Sequence, residues 1–384
     1  MNVRFLINDG SPGEVFRRQL QRDAEAARLS LPMRLYYGWV RPWLPLRGRW
    51  LLQSLRKSKG QSKGQSGDWY LPSQFMDALE ASVAALDHGI PLIHPWPEGA
   101  PYAFVLTHDV EDEPGVRHSL ALASVEEELG LRSSFNFVPY KYKIDQGVVR
   151  ELQDRGFEIG IHGYNHDGRL FSSRKTFQRR IPPIHDAARR YGAVGFRSPM
   201  VHRNLDWLQD LDVQYDASYF DIDPYQAMPG GVGSLWPFIA GRFVELPYTL
   251  PQDHTLLIVL AESSTRIWDE KLKYIQRCSG MALMLTHPDY LLDPEKLGLY
   301  RDFLARTQEA GGFWHALPRD VARWWRQRDE SRLRMPPGEE AWIEGPAAEH
   351  GRPAVLRMGG QHLEIVCVYS PKVMRGGPQP IELS

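Results

Sequence analysis

In Gly160-Ile161-His162-Gly163-Tyr164-Asn165-His166-Asp167, two histidines stand four residues apart, directly after the apolar run Phe157 to Ile161. On a single helical turn, residues at that spacing face the same way, so both rings can reach one ion. Gly163 leaves the local backbone free to depart from a regular helix. Two other apolar runs end in the same kind of chemistry. Tyr102 to Leu106 leads into Thr107-His108-Asp109-Val110-Glu111-Asp112, and Met281 to Thr286 leads into His287. Carboxylates and imidazoles gathered at one end of a parallel sheet suit a metal-dependent hydrolase.

The surrounding pattern is that of a parallel sheet. Short apolar runs fall at Tyr102–Leu106, Ser134–Val138, Phe157–Ile161, Ala193–Phe196, Val213–Tyr215, Leu256–Leu260, Met281–Leu285 and Phe313–His315. Amphipathic segments fall between them, among them Val116–Leu129, Ser173–Tyr191, Asp269–Cys278 and Pro294–Ala310. Strands alternating with helices predict βαβ units, and seven or eight of them predict a barrel or a distorted barrel with its chemistry at the C-terminal strand ends. The expected fold class is therefore α/β. Residues 68–334 are expected to form the barrel, 1–67 an N-terminal helical arm and linker, and 335–384 a small β appendage and tail.

The N-terminal region has its own character. Pro12 to Leu29 reads as a helix. In residues 31–56, Tyr36, Tyr37, Trp39, Trp43 and Trp50 alternate with Arg34, Arg41, Arg47, Arg49 and Arg56. Such a segment either touches an anionic membrane surface or a partner, or packs its aromatic side chains on the main domain. The polar repeat from Lys57 to Gly67 reads as a linker. Strand-like runs at Ala341–Ile343, Ala354–Met358 and Leu363–Tyr369 suggest the β appendage, with a tail from Pro371 to Ser384.

Composition excludes some classes. With 46 basic and 47 acidic residues, the formal net charge of -1 gives no reason to expect a nucleic-acid partner. Two cysteines, Cys278 and Cys367, cannot form a disulfide framework and fit a reducing compartment. Met1 to Gly10 lacks the apolar core of a signal peptide, and no apolar run is long enough to span a bilayer. A cytoplasmic, membrane-peripheral location is the expectation.

Several residues can carry chemistry. Strand alternation puts Asp109 and Glu111 on one side, and His108 and Val110 on the other. Two carboxylates at one strand end can divide labour, one ligating a metal and one taking a proton; the alternative is a solvated acidic loop, which Glu113 would continue. Arg197, in Gly195-Phe196-Arg197-Ser198-Pro199, can hold a carboxylate ionised and fix its direction. His287 is a candidate proton donor, and Asp216 or Asp221 can orient it and raise its pKa. Tyr164, Tyr219, Phe220 and Trp236 are candidate ligand platforms or core residues.

Taken in order, these segments resemble the polysaccharide deacetylases of the NodB-homology type, carbohydrate esterase family 4. The resemblance spans about Tyr102 to His315. It is carried by Thr107-His108-Asp109-Val110-Glu111, His162-Gly163-Tyr164-Asn165-His166, Arg197-Ser198-Pro199, the segment Asp216 to Asp221, and Leu285-Thr286-His287. It implies a distorted (β/α) barrel, a divalent metal with Zn²⁺ the expected ion, and removal of acetyl groups from a polysaccharide or glycan precursor. It further implies Asp109 as general base, His162 and His166 as metal ligands, Arg197 as support for Asp109, His287 as general acid and Leu285 as lining of an acetyl pocket. The Met200 N–H is a candidate oxyanion donor.

Two positions depart from the family pattern. Val110 stands where the family's metal-binding Asp follows the base, so the sequence looks like an Asp-x-Asp/Glu variant. The carboxylate ligand then moves to Glu111, with Asp112 as second choice. Gly163 replaces a hydroxyl residue. Val110 also keeps open a catalytically degenerate carbohydrate-binding or assembly protein. Amide hydrolysis on a small cyclic substrate is a third reading.

Overall fold

The computed structural model describes residues 3–7, 10–43, 69, 74–226, 228–336, 339–360 and 362–368. The polar repeat at 57–67, the arm residues Arg47, Arg49, Trp50 and Arg56, the end of the last expected strand at Tyr369 and the tail at 371–384 lie outside the described residues. The described strands are β1 Val3–Arg4, β2 Ile90–Ile93, β3 Ala103–Val110, β4 Ser133–Phe137, β5 Glu158–His162, β6 Gly195–Arg197, β7 Tyr215–Asp216, β8 Phe238–Ala240, β9 Phe243–Glu245, β10 Met281–Thr286, β11 Trp314–His315, β12 Arg332–Arg334, β13 Trp342–Glu344, β14 Pro353–Gly359 and β15 His362–Cys367.

The centre of the molecule is β3, all of whose residues are buried. A strand covered on both faces reads as a continuous apolar run rather than an alternating one, which is why Ala-Phe-Val-Leu stands out. In the main sheet the order is β1-β8-β9-β7-β6-β5-β4-β3-β10, with β11 also against β3. Neighbours from β9 through β7 to β3, β10 and β11 are parallel, while β1, β8 and β9 are antiparallel. On the far side of β10 irregular chain takes over: Met281 N–H donates to Leu235 O at 2.8 Å, and Thr249 N–H to Leu283 O at 3.1 Å. The result is the expected α/β architecture in distorted form.

Capping explains where the helices begin. Asp112 accepts from Gly115 N–H at 2.8 Å at the head of the helix Glu113–Glu128. Ser173 accepts from Thr176 N–H at the head of Arg174–Tyr191, which ends on left-handed Gly192. A side-chain oxygen at that position satisfies an otherwise orphaned N–H, and glycine takes a positive φ without a Cβ clash.

One expected strand is not a strand. Leu256–Leu260 lies in a π-helical turn, His254–Val259, capped by Asp253, whose carboxylate accepts from His254 N–H at 2.7 Å. An apolar run of that length fits a buried helical turn as well as a strand, and the cap decides it. The strand in its place is β9, reached from β8 through the two-residue loop Gly241-Arg242. At the C-terminus, β12 pairs with β13, and β14 sits between β15 and β2. The hairpin β14–β15 therefore pairs through β14 with β2, within the 68–334 span expected to form the barrel, rather than standing apart as an appendage.

Candidate active site

Asp109, Glu111, His162, His166, Arg197 and His287 all sit at or just past the carboxyl ends of β3, β5, β6 and β10. Parallel strands bring these ends together, so residues distant in sequence converge on one cleft. Among the described residues, Glu111, His162 and His166 form a group that could hold a metal ion, with ligand atoms all within 4.8 Å of one another. Glu111 Oε1 lies 2.8 Å from His166 Nε2 and 3.9 Å from His162 Nε2. The histidines do not share a regular helical turn. Gly163 and His166 both take left-handed φ, +67° and +57°, which folds the loop back so that the rings lie 5.1 Å apart. The side chain that the family pattern would place at 163 has no room, since a Cβ there would stand 2.3 Å from Pro199 Cδ.

The imidazoles are set up as ligands. His162 Nδ1 lies 3.1 Å from Arg197 O and donates to it, leaving Nε2 buried without a hydrogen-bond partner. His166 Nε2 is also buried and without a partner of hydrogen-bond geometry. Burial holds His166 down to about 4, against the pull of Glu111, so its ring is neutral at pH 7. Burial alone would raise the Glu111 carboxyl, but His166 and His162 hold it well below its usual range. Two imidazoles, each with a buried Nε2 that makes no hydrogen bond, beside the Glu111 carboxylate make an N,N,O donor set that fits a divalent ion such as zinc.

Asp109 stands beside this group, its Oδ2 3.6 Å from His162 Nδ1. Arg197 Nη1 donates to Asp109 Oδ1 at 3.1 Å, and Asn136 Nδ2 donates to the same oxygen at 2.9 Å. Burial would raise this carboxyl; the charges of His162 and Arg197 outweigh it and keep it below the usual range. Asn136 was not anticipated from sequence. Its signal is Gly160 on the neighbouring strand, where a Cβ would fall 1.9 Å from Asn136 Oδ1.

Opposite Asp109, His287 Nε2 lies 3.8 Å from Glu111 Oε1. Its partner is neither Asp216 nor Asp221. Asp253 accepts from His287 Nδ1 at 2.7 Å through one oxygen and from His287 N–H at 2.7 Å through the other. Burial would lower the imidazole, but Asp253 pushes it up to about 10. Asp216 instead accepts from Ser218 Oγ and faces the buried Glu245, while Asp221 pairs with Lys271 Nζ at 2.6 Å. Both Asp residues are committed to other buried partners, which corrects the sequence expectation.

The remaining residues divide clearly. Leu285 and Met200 line the cleft. Tyr219 does not: it is 1% exposed, with its ring against Phe238 and Arg203. Phe220 and Trp236 are core residues as well, and Tyr164 stacks on Tyr140. Asp112 is taken up as the helix cap. Val110 is fully buried, and a Cβ on helix residue Gly115 would lie 3.5 Å from its Cγ1. A carboxylate at 110 would face that helix and not the histidines, so Glu111 occupies the ligand position instead.

No family model matches the sequence, and comparison with curated proteins finds no match. Solved structures do match. A Mycobacterium smegmatis protein assigned as a polysaccharide deacetylase superposes with a TM-score of 0.52 at 19% identity, over 66% of this chain and 100% of that one. The two chains share a fold. A protein likewise assigned from Pseudomonas aeruginosa PAO1 gives 0.45 at 18% identity, over 61% and 94% of the two chains. Puue allantoinase gives 0.46 at 16%, over 60% and 93%.

Proposed function

We propose that this chain is a metal-dependent deacetylase that hydrolyses acetyl groups, N-acetyl in particular, from a polysaccharide or glycan precursor. The observation that carries the reading is one cleft in which Glu111, His162 and His166 converge between an ionised carboxylate and a protonated imidazole. Glu111, His162 and His166 would hold the ion, with zinc our choice for this donor set. When bound, such an ion supplies Lewis-acid polarisation of the acetyl carbonyl and lowers the pKa of water.

The chain's own groups supply the rest. Asp109, held ionised and aimed by Arg197 and Asn136, takes a proton from the attacking water. The Met200 N–H, on the cleft wall, is our candidate donor to the oxyanion that develops on the acetyl group. His287, kept protonated by Asp253, delivers its proton to the departing nitrogen, which would otherwise be a poor leaving group. Leu285 offers an apolar wall of methyl size. The products are acetate and a free amino sugar. Val110 alone favours a degenerate protein; Glu111, one residue later and 2.8 Å from His166, supports the catalytic reading instead.

The test is acetate release from a panel of acetylated glycans, with and without chelator. We expect release that chelator abolishes and added zinc restores. Asp109→Asn should abolish turnover while the ion remains bound. Full activity in that variant, or chelator-insensitive release, would refute the assignment.

A further inference from the structure

The cleft is not walled by the barrel alone. Residues 31–43 form a continuous helical strap, from the helix Leu31–Leu35 through the turns Tyr36–Val40 and Arg41–Trp43, and Tyr36, Tyr37 and Arg41 from it line the cleft. The strap is fitted to the barrel. Tyr37 meets the His202 ring edge-on at 4.8 Å, and Gly168 makes room for it, since a Cβ there would stand 2.3 Å from Tyr37 Cδ1. Arg41 Nη1 donates to His166 O at 3.0 Å. The inner face of the strap is thus accounted for.

The outer face is not. Leu31, Leu35, Trp39 and Trp43 recur at intervals of four and are 63%, 50%, 74% and 86% exposed, with Val40 at 45%. Single exposed apolar residues are ordinary, but a stripe of them on the solvent side of one short helical segment is not. Charge identifies what would cover it. The whole chain carries a formal net charge of -1, yet from Ala26 to Gly67 the sequence holds six arginines, three lysines and no Asp or Glu. Tryptophan and leucine on one face, in a stretch of sequence whose only charged residues are arginine and lysine, is the composition of a helix lying in the interface of an anionic bilayer. Among the described residues no helix is long and apolar enough to cross a membrane, so the strap would lie on the bilayer rather than span it.

We propose that the strap Leu31–Trp43 is a peripheral membrane-binding element, docking its Leu31/Leu35/Trp39/Trp43 stripe into an anionic lipid surface. Because the opposite face of the same strap lines the cleft, docking brings the cleft close to the bilayer surface. The substrate that follows is an acetylated glycan carried at the membrane surface; that consequence rests on the deacetylase reading, whereas the docking does not.

The experiment is co-sedimentation of the full chain with vesicles of phosphatidylcholine alone or mixed with phosphatidylglycerol. Binding is expected to the mixed vesicles, at least tenfold stronger than to phosphatidylcholine, and to weaken as salt is raised. Trp39→Ser with Trp43→Ser should reduce that binding at least tenfold and leave zinc binding and acetate release from a soluble glycan unchanged. Should the double variant misfold, Trp43→Ser alone, at the most exposed ring, should weaken binding several-fold. Equal binding to both vesicle types, or binding indifferent to the substitutions, would overturn the proposal. So would a stripe that instead mediates self-association, seen as concentration-dependent dimers that the double variant abolishes without any vesicle binding. Vesicle binding with no acetate release from any glycan would sink the deacetylase reading and leave the docking intact.

Discussion

In the proposed reaction, the acid half of the chemistry depends on Asp253. Its two oxygens fix His287 by ring and by backbone, and its charge keeps the imidazole protonated far above neutral pH. Asp253→Asn is therefore expected to lower kcat about 10²–10⁴-fold with little change in KM. The high-pH limb of the kcat profile should move to lower pH, because His287 loses the charge that holds its proton. An unchanged pH profile would count against the pairing. Gly163 makes a second prediction at this scale. Gly163→Ser restores the residue usual in the family pattern but meets Pro199 at a positive φ, so it should cost about 1–3 kcal/mol in stability and weaken metal binding. The candidate metal-binding residues were legible because His162, His166 and Glu111 sit within a few residues of recognisable strand ends. Asp253 was not, since it lies in an irregular segment outside the expected motif, whereas Asp216 and Asp221, although farther from His287 in sequence, fall inside that motif.

At the scale of elements, the apolar runs located most of the strands, and the failures share one cause. Where the wall is irregular chain, periodicity has nothing to register: Leu256–Leu260 is a capped helical turn, and β9 is only three residues long. The Gly241-Arg242 loop between β8 and β9 was the available signal, a two-residue hairpin connection with glycine at positive φ. The sheet also carries a testable charge at the start of β5. Glu158 is buried, accepting from Tyr215 Oη at 2.8 Å and Arg319 N–H at 3.1 Å, and burial raises its carboxyl from 4.5 to about 7. A folded-state pKa above the unfolded value means that its contribution is fully present below pH 4.5 and is lost as pH rises through about 7. Glu158→Gln stays neutral throughout, so its thermal stability should fall less than wild type between mildly acidic and mildly alkaline pH. The difference has an upper limit of about 3 kcal/mol. Parallel Tm curves for the two proteins would rule this out.

For the whole molecule, the N-terminal region and the barrel are joined by a buried charge. Asp23, on the helix Gly10–Ala26, accepts from Arg203 Nε at 2.9 Å and from Gly231 N–H at 2.7 Å, with both charged side chains fully buried. Removing one partner strands the other, so Asp23→Ala should destabilise by about 3–5 kcal/mol. A chemical-denaturation midpoint equal to wild type would contradict that. Sequence alone left the aromatic segment divided between packing inward and facing a membrane or partner; in the structure Tyr36 and Tyr37 line the cleft, while Trp39 and Trp43 are exposed to solvent. One fold-level frame thus brings together a strap, a carboxylate, a protonated imidazole and a candidate metal triad. Zinc titration of the metal-free protein by calorimetry tests that triad most directly. One ion per chain is expected, with binding lost in both Glu111→Ala and His166→Ala; an absence of zinc binding, or affinity unchanged in those variants, would contradict the account.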